Sequence, residues 1–71
     1  MIKVTKEIQE IIKRLAICEN LQDNFKREGK RKLYNIYWGK SCGFNESLKY
    51  LGLTADQISY LVQIEKSKGG E

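Results

Sequence analysis

Residues 44–62 of this 71-residue chain read Phe44-Asn-Glu-Ser-Leu-Lys-Tyr-Leu-Gly-Leu-Thr-Ala-Asp-Gln-Ile-Ser-Tyr-Leu-Val62. The apolar residues of this stretch recur at helical intervals on both sides of Gly52, namely Leu48 and Leu51 before it and Ile58, Leu61 and Val62 after it. Spacing of this kind predicts two helices, near residues 44–51 and 55–66, joined by a tight turn at the glycine. Thr54 is a suitable cap for the second helix. The stretch therefore predicts a helix pair in the C-terminal half of the chain.

A second periodic segment precedes this pair. Its members alternate spacings of four and three, and only one of them is polar: Val4, Ile8, Ile11, Leu15, Cys18, Gln22 and Phe25. Thr5 is a suitable N-cap and Gly29 a suitable stop, so the stripe predicts one long helix near residues 5–28. Such a stripe also suits a coiled-coil seam between two copies of a chain. Packing against the rest of the same domain is the favoured interpretation.

Residues 30–38 are ambiguous, because their aromatic and β-branched content suits a strand. No second strand-like run exists to pair with them, and an unpaired strand would leave its backbone groups unsatisfied. We therefore predict a helix that turns Leu33, Ile36 and Tyr37 inward and ends at Gly39. Residues 39–43 are then expected to form a loop.

These elements predict an all-α fold, a small single-domain helical bundle. The chain has 41% hydrophobic residues, which is typical of a globular domain. We expect residues 1–66 to form one helical domain and residues 67–71 to be a frayed C-terminal tail.

Membrane, secretion and metal signals are missing from the sequence. No apolar run approaches the roughly 20 residues that span a bilayer, and no secretion signal is recognisable, so we expect a cytoplasmic protein with no membrane partner. There is no histidine, and the two cysteines, Cys18 and Cys42, are too few for a structural zinc site. We expect Cys18 to fill part of the core, Cys42 to lie in the loop, and both thiols to stay reduced.

Positive charge is concentrated in residues 26–40. This segment has six basic side chains, Lys26, Arg27, Lys30, Arg31, Lys32 and Lys40, against the single acid Glu28, and it also contains Tyr34, Tyr37 and Trp38. Cations beside aromatic rings suit contacts with phosphates and stacking on bases. The alternative is a solvated helix junction whose aromatic rings belong to the core.

The helix pair resembles the helix-turn-helix of small phage and bacterial regulators, over residues 44–63. In that family an apolar residue and a capping residue follow the turn glycine, and apolar anchors follow within the second helix; the corresponding residues here are Gly52, Leu53, Thr54, Ile58 and Leu61. The family usually has a small residue four positions before the glycine, where this chain has Leu48. The resemblance implies a helix-turn-helix-like pair that touches DNA or another regulator.

Two classes of function follow. The first is a DNA-binding transcription regulator whose nucleic-acid-binding residues would be Lys26, Arg27, Lys30, Arg31, Lys32, Thr54, Ser59 and Gln63. The second is a protein-binding modulator, of the antirepressor or inhibitor type, that grips another regulator through Tyr60 and Ile64. Binding of RNA by the basic aromatic segment is a third alternative, and a homodimer is expected for the DNA-binding regulator, because one small module with few cations binds weakly alone. Without histidine, paired acids or a phosphate-binding loop, the chain is not expected to be an enzyme or to use a cofactor, a metal or a small-molecule substrate.

Overall fold

The computed structural model describes residues 3–68, and helix is the only regular secondary structure in that range. Helix α1 comprises Lys6–Arg27, α2 comprises Arg31–Tyr50 and α3 comprises Ala55–Lys68. The prediction of a small all-α domain is therefore confirmed.

Helix α1 begins and ends where its sequence signals predict. The N–H of Ile8 donates to Oγ1 of Thr5 at 3.2 Å, which satisfies one of the free backbone donors of the first turn. At the other end Gly29 has a φ of 73°, a left-handed conformation that favours glycine. The N–H of Lys30 then donates to the carbonyl of Phe25 at 2.9 Å, which closes the helix and reverses the chain.

Helix α2 corrects the prediction for residues 30–51. It is one continuous helix, so Gly39 does not end it, residues 39–43 are not a loop, and 44–51 are its last turns. The hydroxyl of Ser41 donates to the carbonyl of Trp38 at 2.8 Å, and the amide of Asn45 donates to the carbonyl of Ser41 at 3.0 Å. These bonds satisfy the two polar side chains within the helix, and the burial of Ser41 and Leu48 holds the glycine-containing segment in helical conformation. Propensity alone underestimates this tertiary contribution.

The prediction that Leu33, Ile36 and Tyr37 face inward is wrong for the first two of them. Leu33 is 39% exposed and Ile36 is 54% exposed, whereas Tyr37 is half-buried. The start of α2 is also poorly capped. The side chain of its N-cap, Lys30, makes no capping hydrogen bond to the first turn, and that turn contains no acidic residue.

The turn into α3 follows the predicted glycine pattern. Gly52 has a φ of 103°, and the N–H of Leu53 donates to the carbonyl of Leu48 at 3.1 Å while both side chains are buried. Thr54 then forms a reciprocal cap with Gln57: Oγ1 of Thr54 accepts from the N–H of Gln57 at 3.2 Å, and the N–H of Thr54 donates to Oε1 of Gln57 at 2.8 Å. Helix α3 continues to Lys68, two residues beyond the predicted 66. The rest of the predicted frayed tail lies outside the described residues.

Helix α1 is the centre of the fold, because it contacts both other helices extensively while α2 and α3 contact each other little. The core is one cluster formed by all three helices and the second turn: Ile8, Ile12, Leu15, Ala16, Leu48, Leu53, Ile58 and Val62. The predicted stripe omits Ile12 and Ala16, which are buried because α1 packs on two neighbours rather than one. From Ile8 to Cys18 the stripe is thus covered within its own chain, as the favoured interpretation expects, whereas Val4 is exposed and Gln22 and Phe25 are only half-buried.

Helices α1 and α2 form a hairpin with two unlike halves. We call residues 6–20 and 41–50 the covered half, since every buried residue of the two helices lies there, none after Cys18 in α1 and none before Ser41 in α2. Residues 21–40 are the open half, and none of them is buried. The open half contains the predicted basic and aromatic segment.

Candidate functional site

The five predicted cations lie around the turn of the hairpin, and all of them are exposed: Lys26, Arg27, Lys30, Arg31 and Lys32, which we call the basic cluster. Nζ of Lys30 is 3.2 Å from the carboxylate of Glu28, and the guanidinium of Arg27 donates to the side-chain oxygen of Asn24. Within residues 3–68, the other three members form no ion pair. They are therefore the members most available to an external anion.

An open cavity of ≈ 310 Å³ lies at this end of the hairpin, which we call the end cavity. Its lining combines two rings, two cations and a glycine: Phe25, Lys26, Gly29, Arg31 and Tyr34. The ring of Phe25 packs against Tyr37 with centroids 5.5 Å apart, and Nζ of Lys40 lies 4.7 Å from the centroid of Tyr37. These contacts hold one wall of the cavity in place.

The aromatic residues of the open half are not core residues. Tyr34 is half-buried, and Trp38 is 55% exposed. Arg31, Tyr34 and Trp38 follow one another at intervals of three and four, so they share one face of α2. The sequence allowed these aromatic rings either a role at the surface or a place in the core, and their exposure favours the surface role.

On α3, the predicted base-reading residues Ser59 and Gln63 are exposed. Both line a cleft of ≈ 180 Å³ together with Glu19 of α1 and Asn45 of α2. Thr54, predicted to contact nucleic acid, is exposed but uses its hydroxyl and its N–H in the α3 cap.

The fold places part of the basic cluster on the side of the hairpin that holds this cleft. Lys26 is two helical turns beyond Glu19 on the same face of α1, and Trp38 is two turns from Asn45 on the same face of α2. Lys26 and the Arg31–Trp38 face therefore continue the side of the molecule that Ser59 and Gln63 line, about 10 Å farther along the helix axes. Lys32 does not join them, because it lies on the opposite side of α2 from Tyr34.

Sequence reasoning missed Lys66. This lysine is seven residues after Ser59 and three after Gln63, which places it on the same face of α3. Its Nζ is 2.8 Å from the carboxylate of Glu19 at the edge of the cleft. The pair neutralises the acid that the cleft would otherwise present to a phosphate, and the spacing of the three residues was readable in the sequence.

Tyr60 and Ile64, the predicted partner-binding residues, occupy a neighbouring face of α3. Tyr60 is 68% exposed and Ile64 is 37% exposed. Tyr60 lines a different cavity, of ≈ 210 Å³, with Val4, Gln57 and Leu61. The two sets of predicted contacts are thus next to each other on α3 but open onto separate surfaces.

Both cysteines are free thiols. Cys18 is buried as predicted, whereas Cys42 lies within α2 rather than in a loop and is half-buried. Burial raises the pKa of the Cys18 thiol, and the nearby Lys40 ammonium partly opposes that effect. Residues 3–68 contain no cluster of three Cys, Asp or Glu side chains able to hold a metal ion.

Comparisons with protein families, with curated proteins and with solved structures found no match to this chain. In the described part of the chain, no helix has the length and apolar content needed to cross a membrane.

Proposed function

We propose that this chain is a small non-enzymatic DNA-binding regulator. The observation that supports this best is the alignment of Lys26 and Arg31 with Ser59 and Gln63 along one side of the molecule. The cations suit the phosphate backbone, and the hydroxyl and amide of α3 suit the edges of bases. The contacts that position the protein on the DNA backbone would then come from α1 and α2, and those that set its sequence preference would come from α3.

The division of labour follows from charge. The exposed face of α3 presents Ser59 and Gln63, with Lys66 already paired to Glu19 and with Asp56 exposed at the start of the helix. That face supplies little attraction for phosphates, so most of the electrostatic affinity must come from the basic cluster. A single module with few cations binds weakly. A homodimer would double both the phosphate contacts and the base contacts and so strengthen binding.

The test is a salt titration of the affinity for duplex DNA, measured by anisotropy of a labelled duplex between about 50 and 300 mM salt. Neutralising Lys26→Gln and Arg31→Gln together should weaken binding to all sequences and reduce the slope of log affinity against log salt by about two. The matched control is Lys6→Gln with Arg14→Gln, which removes the same charge from exposed positions of α1 in the covered half. Absence of duplex binding at low salt by the folded protein, or equal losses in the two double variants, would contradict the proposal.

Ser59→Ala and Gln63→Ala should behave differently. Because these side chains meet base edges in the proposed complex, their removal should change the preference among sequences and leave the salt slope unaltered. A selection from random duplexes, repeated with each variant, measures this preference. Identical selected sequences for parent and variants would show that α3 does not read bases.

A second candidate function, a protein-binding modulator, is favoured by the apolar surface around Tyr60. Val4, Tyr60 and Ile64 are exposed there, and Leu61 is only partly buried. Exposed aromatic and aliphatic side chains beside a cavity suit a protein interface. Capture of a specific partner protein that survives nuclease treatment, is lost in Tyr60→Ala and changes little with salt would support this function over DNA binding.

A further inference from the structure

The end cavity has a composition that duplex binding does not explain. Two aromatic rings, Phe25 and Tyr34, and two cations, Lys26 and Arg31, line one open volume of ≈ 310 Å³. Contact with the outer phosphates of a duplex would use the cations alone. We propose that the end cavity binds one unpaired nucleotide, with the base against the rings and the phosphate on Lys26 and Arg31.

The rings are suited to stacking. Phe25 and Tyr34 are half-buried, so each is partly covered by the protein and still has surface to offer a base. Phe25 is held from behind by Tyr37, which Lys40 covers in turn. Because Phe25 is already packed in this way, it loses little conformational entropy when a base stacks on it.

The charges point to a phosphate rather than to an uncharged aromatic ligand. No carboxylate lines the cavity, and the nearest acid in sequence, Glu28, is paired with Lys30. Lys26 and Arg31 have no ion pair in residues 3–68. Aromatic surface beside unpaired cations is the combination that binds nucleotides without regard to sequence.

The cavity selects an unpaired base because of its geometry. In a duplex each base is stacked between its neighbours and paired, so its face is not accessible to rings that line a cavity. The volume is at the lower end of the range of about 300–1,000 Å³ for ligand pockets, which suits one nucleotide and not a base pair.

Trp38 extends the surface beyond the cavity. It is one turn after Tyr34 on the same face of α2, and it is 55% exposed. The next base of a strand could stack there, farther toward Ser59 and Gln63. Trp38 is also the single tryptophan of the chain, so its fluorescence reports on this position alone.

This inference rests on the proposed function in taking nucleic acid as the partner, but it names a different form of it. The shared chemistry is a base with a phosphate, and it has two sources: a single strand or a free mononucleotide. An oligothymidylate of about eight nucleotides and thymidine monophosphate are the two probes, tested on the full chain beside the duplex used above.

In the parent protein the oligothymidylate should bind and should quench the fluorescence of Trp38. Tyr34→Leu keeps the apolar bulk and removes the ring, so it should weaken binding of both probes by about tenfold or more. Tyr34→Phe should retain binding, because it keeps the ring. Lys26→Gln with Arg31→Gln should also weaken both probes, whereas the control Lys6→Gln with Arg14→Gln should not.

The two sources separate by relative affinity. Tighter binding of the oligothymidylate than of the mononucleotide identifies a strand as the natural ligand, and equal binding identifies the free nucleotide; both support the cavity. Equal affinity of the parent and Tyr34→Leu for the oligothymidylate would overturn it, and so would equal losses of single-strand and duplex affinity in that variant. Circular dichroism shows whether each variant is folded.

The experiments can contradict nucleotide binding by the end cavity and the proposed DNA-binding function independently of each other. Loss of duplex binding in Lys26→Gln with Arg31→Gln, together with unchanged oligothymidylate binding in Tyr34→Leu, would retain the DNA-binding regulator and remove the cavity. Tyr34-dependent binding of the oligothymidylate without any duplex binding would retain the cavity and remove the regulator.

Discussion

The covered and open halves of the α1–α2 hairpin both have amphipathic helical sequences, yet only the covered half contains buried residues. Leu48 in the covered half is 0% exposed, whereas Leu33 in the open half is 39% exposed. The difference is the third helix, because α3 packs across the covered half and two helices alone cannot enclose a side chain on all sides. The open half keeps its apolar and aromatic residues at the surface, which is where a ligand can reach them.

The largest effect is expected from a matched pair of leucine truncations, one in each half. Leu48→Ala should lower the free energy of unfolding by about 2–5 kcal/mol, because it leaves a cavity in a closed core. Leu33→Ala should lower it by less than about 1 kcal/mol, because water already reaches that side chain. Urea denaturation of both variants measures the difference. Similar losses would mean that the open half is enclosed in solution, for instance by a second copy of the chain.

Glycine substitutions separate local from tertiary effects. Gly39 in the open half and Gly43 in the covered half are both helical, exposed and free of neighbouring atoms at the position of an added Cβ. Replacing either with alanine should raise the free energy of unfolding by about 1 kcal/mol, equally in the two halves. Gly52→Ala should instead lower it by about 1–2 kcal/mol, since alanine disfavours a φ of 103°. Thermal denaturation checks these signs, and destabilisation by Gly39→Ala would show that α2 is interrupted there after all.

The smallest expected effect concerns the reactivity and ionisation of the two cysteine thiols. The buried Cys18, whose pKa burial raises, should react with iodoacetamide more slowly than the half-buried Cys42 at neutral pH. As the pH rises through the raised pKa of Cys18, the native state should lose stability, because the unfolded chain ionises this thiol more readily. Mass spectrometry of the alkylated peptides, with the unfolded protein as the control, measures the rates. Faster reaction of Cys18 would mean that the covered half opens readily.

Helix ends were predictable wherever a local bonding signal sets them. Thr5, Gly29, Gly52 and Thr54 all have the roles that their residue types suggest, because caps and left-handed glycines depend on neighbours within a few residues. The continuity of α2 through residues 39–43 was not predictable in this way. It depends on packing against α1, which only the folded chain supplies.

The candidate site was predictable in composition rather than in arrangement. The clustering of charge in residues 26–40 was visible in the sequence, but the placement of Lys26 and Arg31 on one cavity depends on how α1 and α2 meet. The exposure of Leu33 and Ile36 could not be predicted either, since their spacing suits burial and only the position of α3 leaves them outside. The position of Lys66 on the face of Ser59 was readable from its spacing, but its ion pair with Glu19 depends on how α1 and α3 meet.

The uncapped start of α2 has a consequence for hydrogen exchange. With no side-chain capping bond at Lys30 and no buried residue before Ser41, the first turns of α2 can open without disturbing the core. Their amide protons should therefore exchange through local opening, at a much lower free energy than those of residues 8–18. A ligand held by Arg31 and Tyr34 would have to suppress this opening, and part of its interaction free energy would be used to order the helix. Slower exchange in residues 31–38 on addition of nucleic acid would then mark the binding site without any mutation.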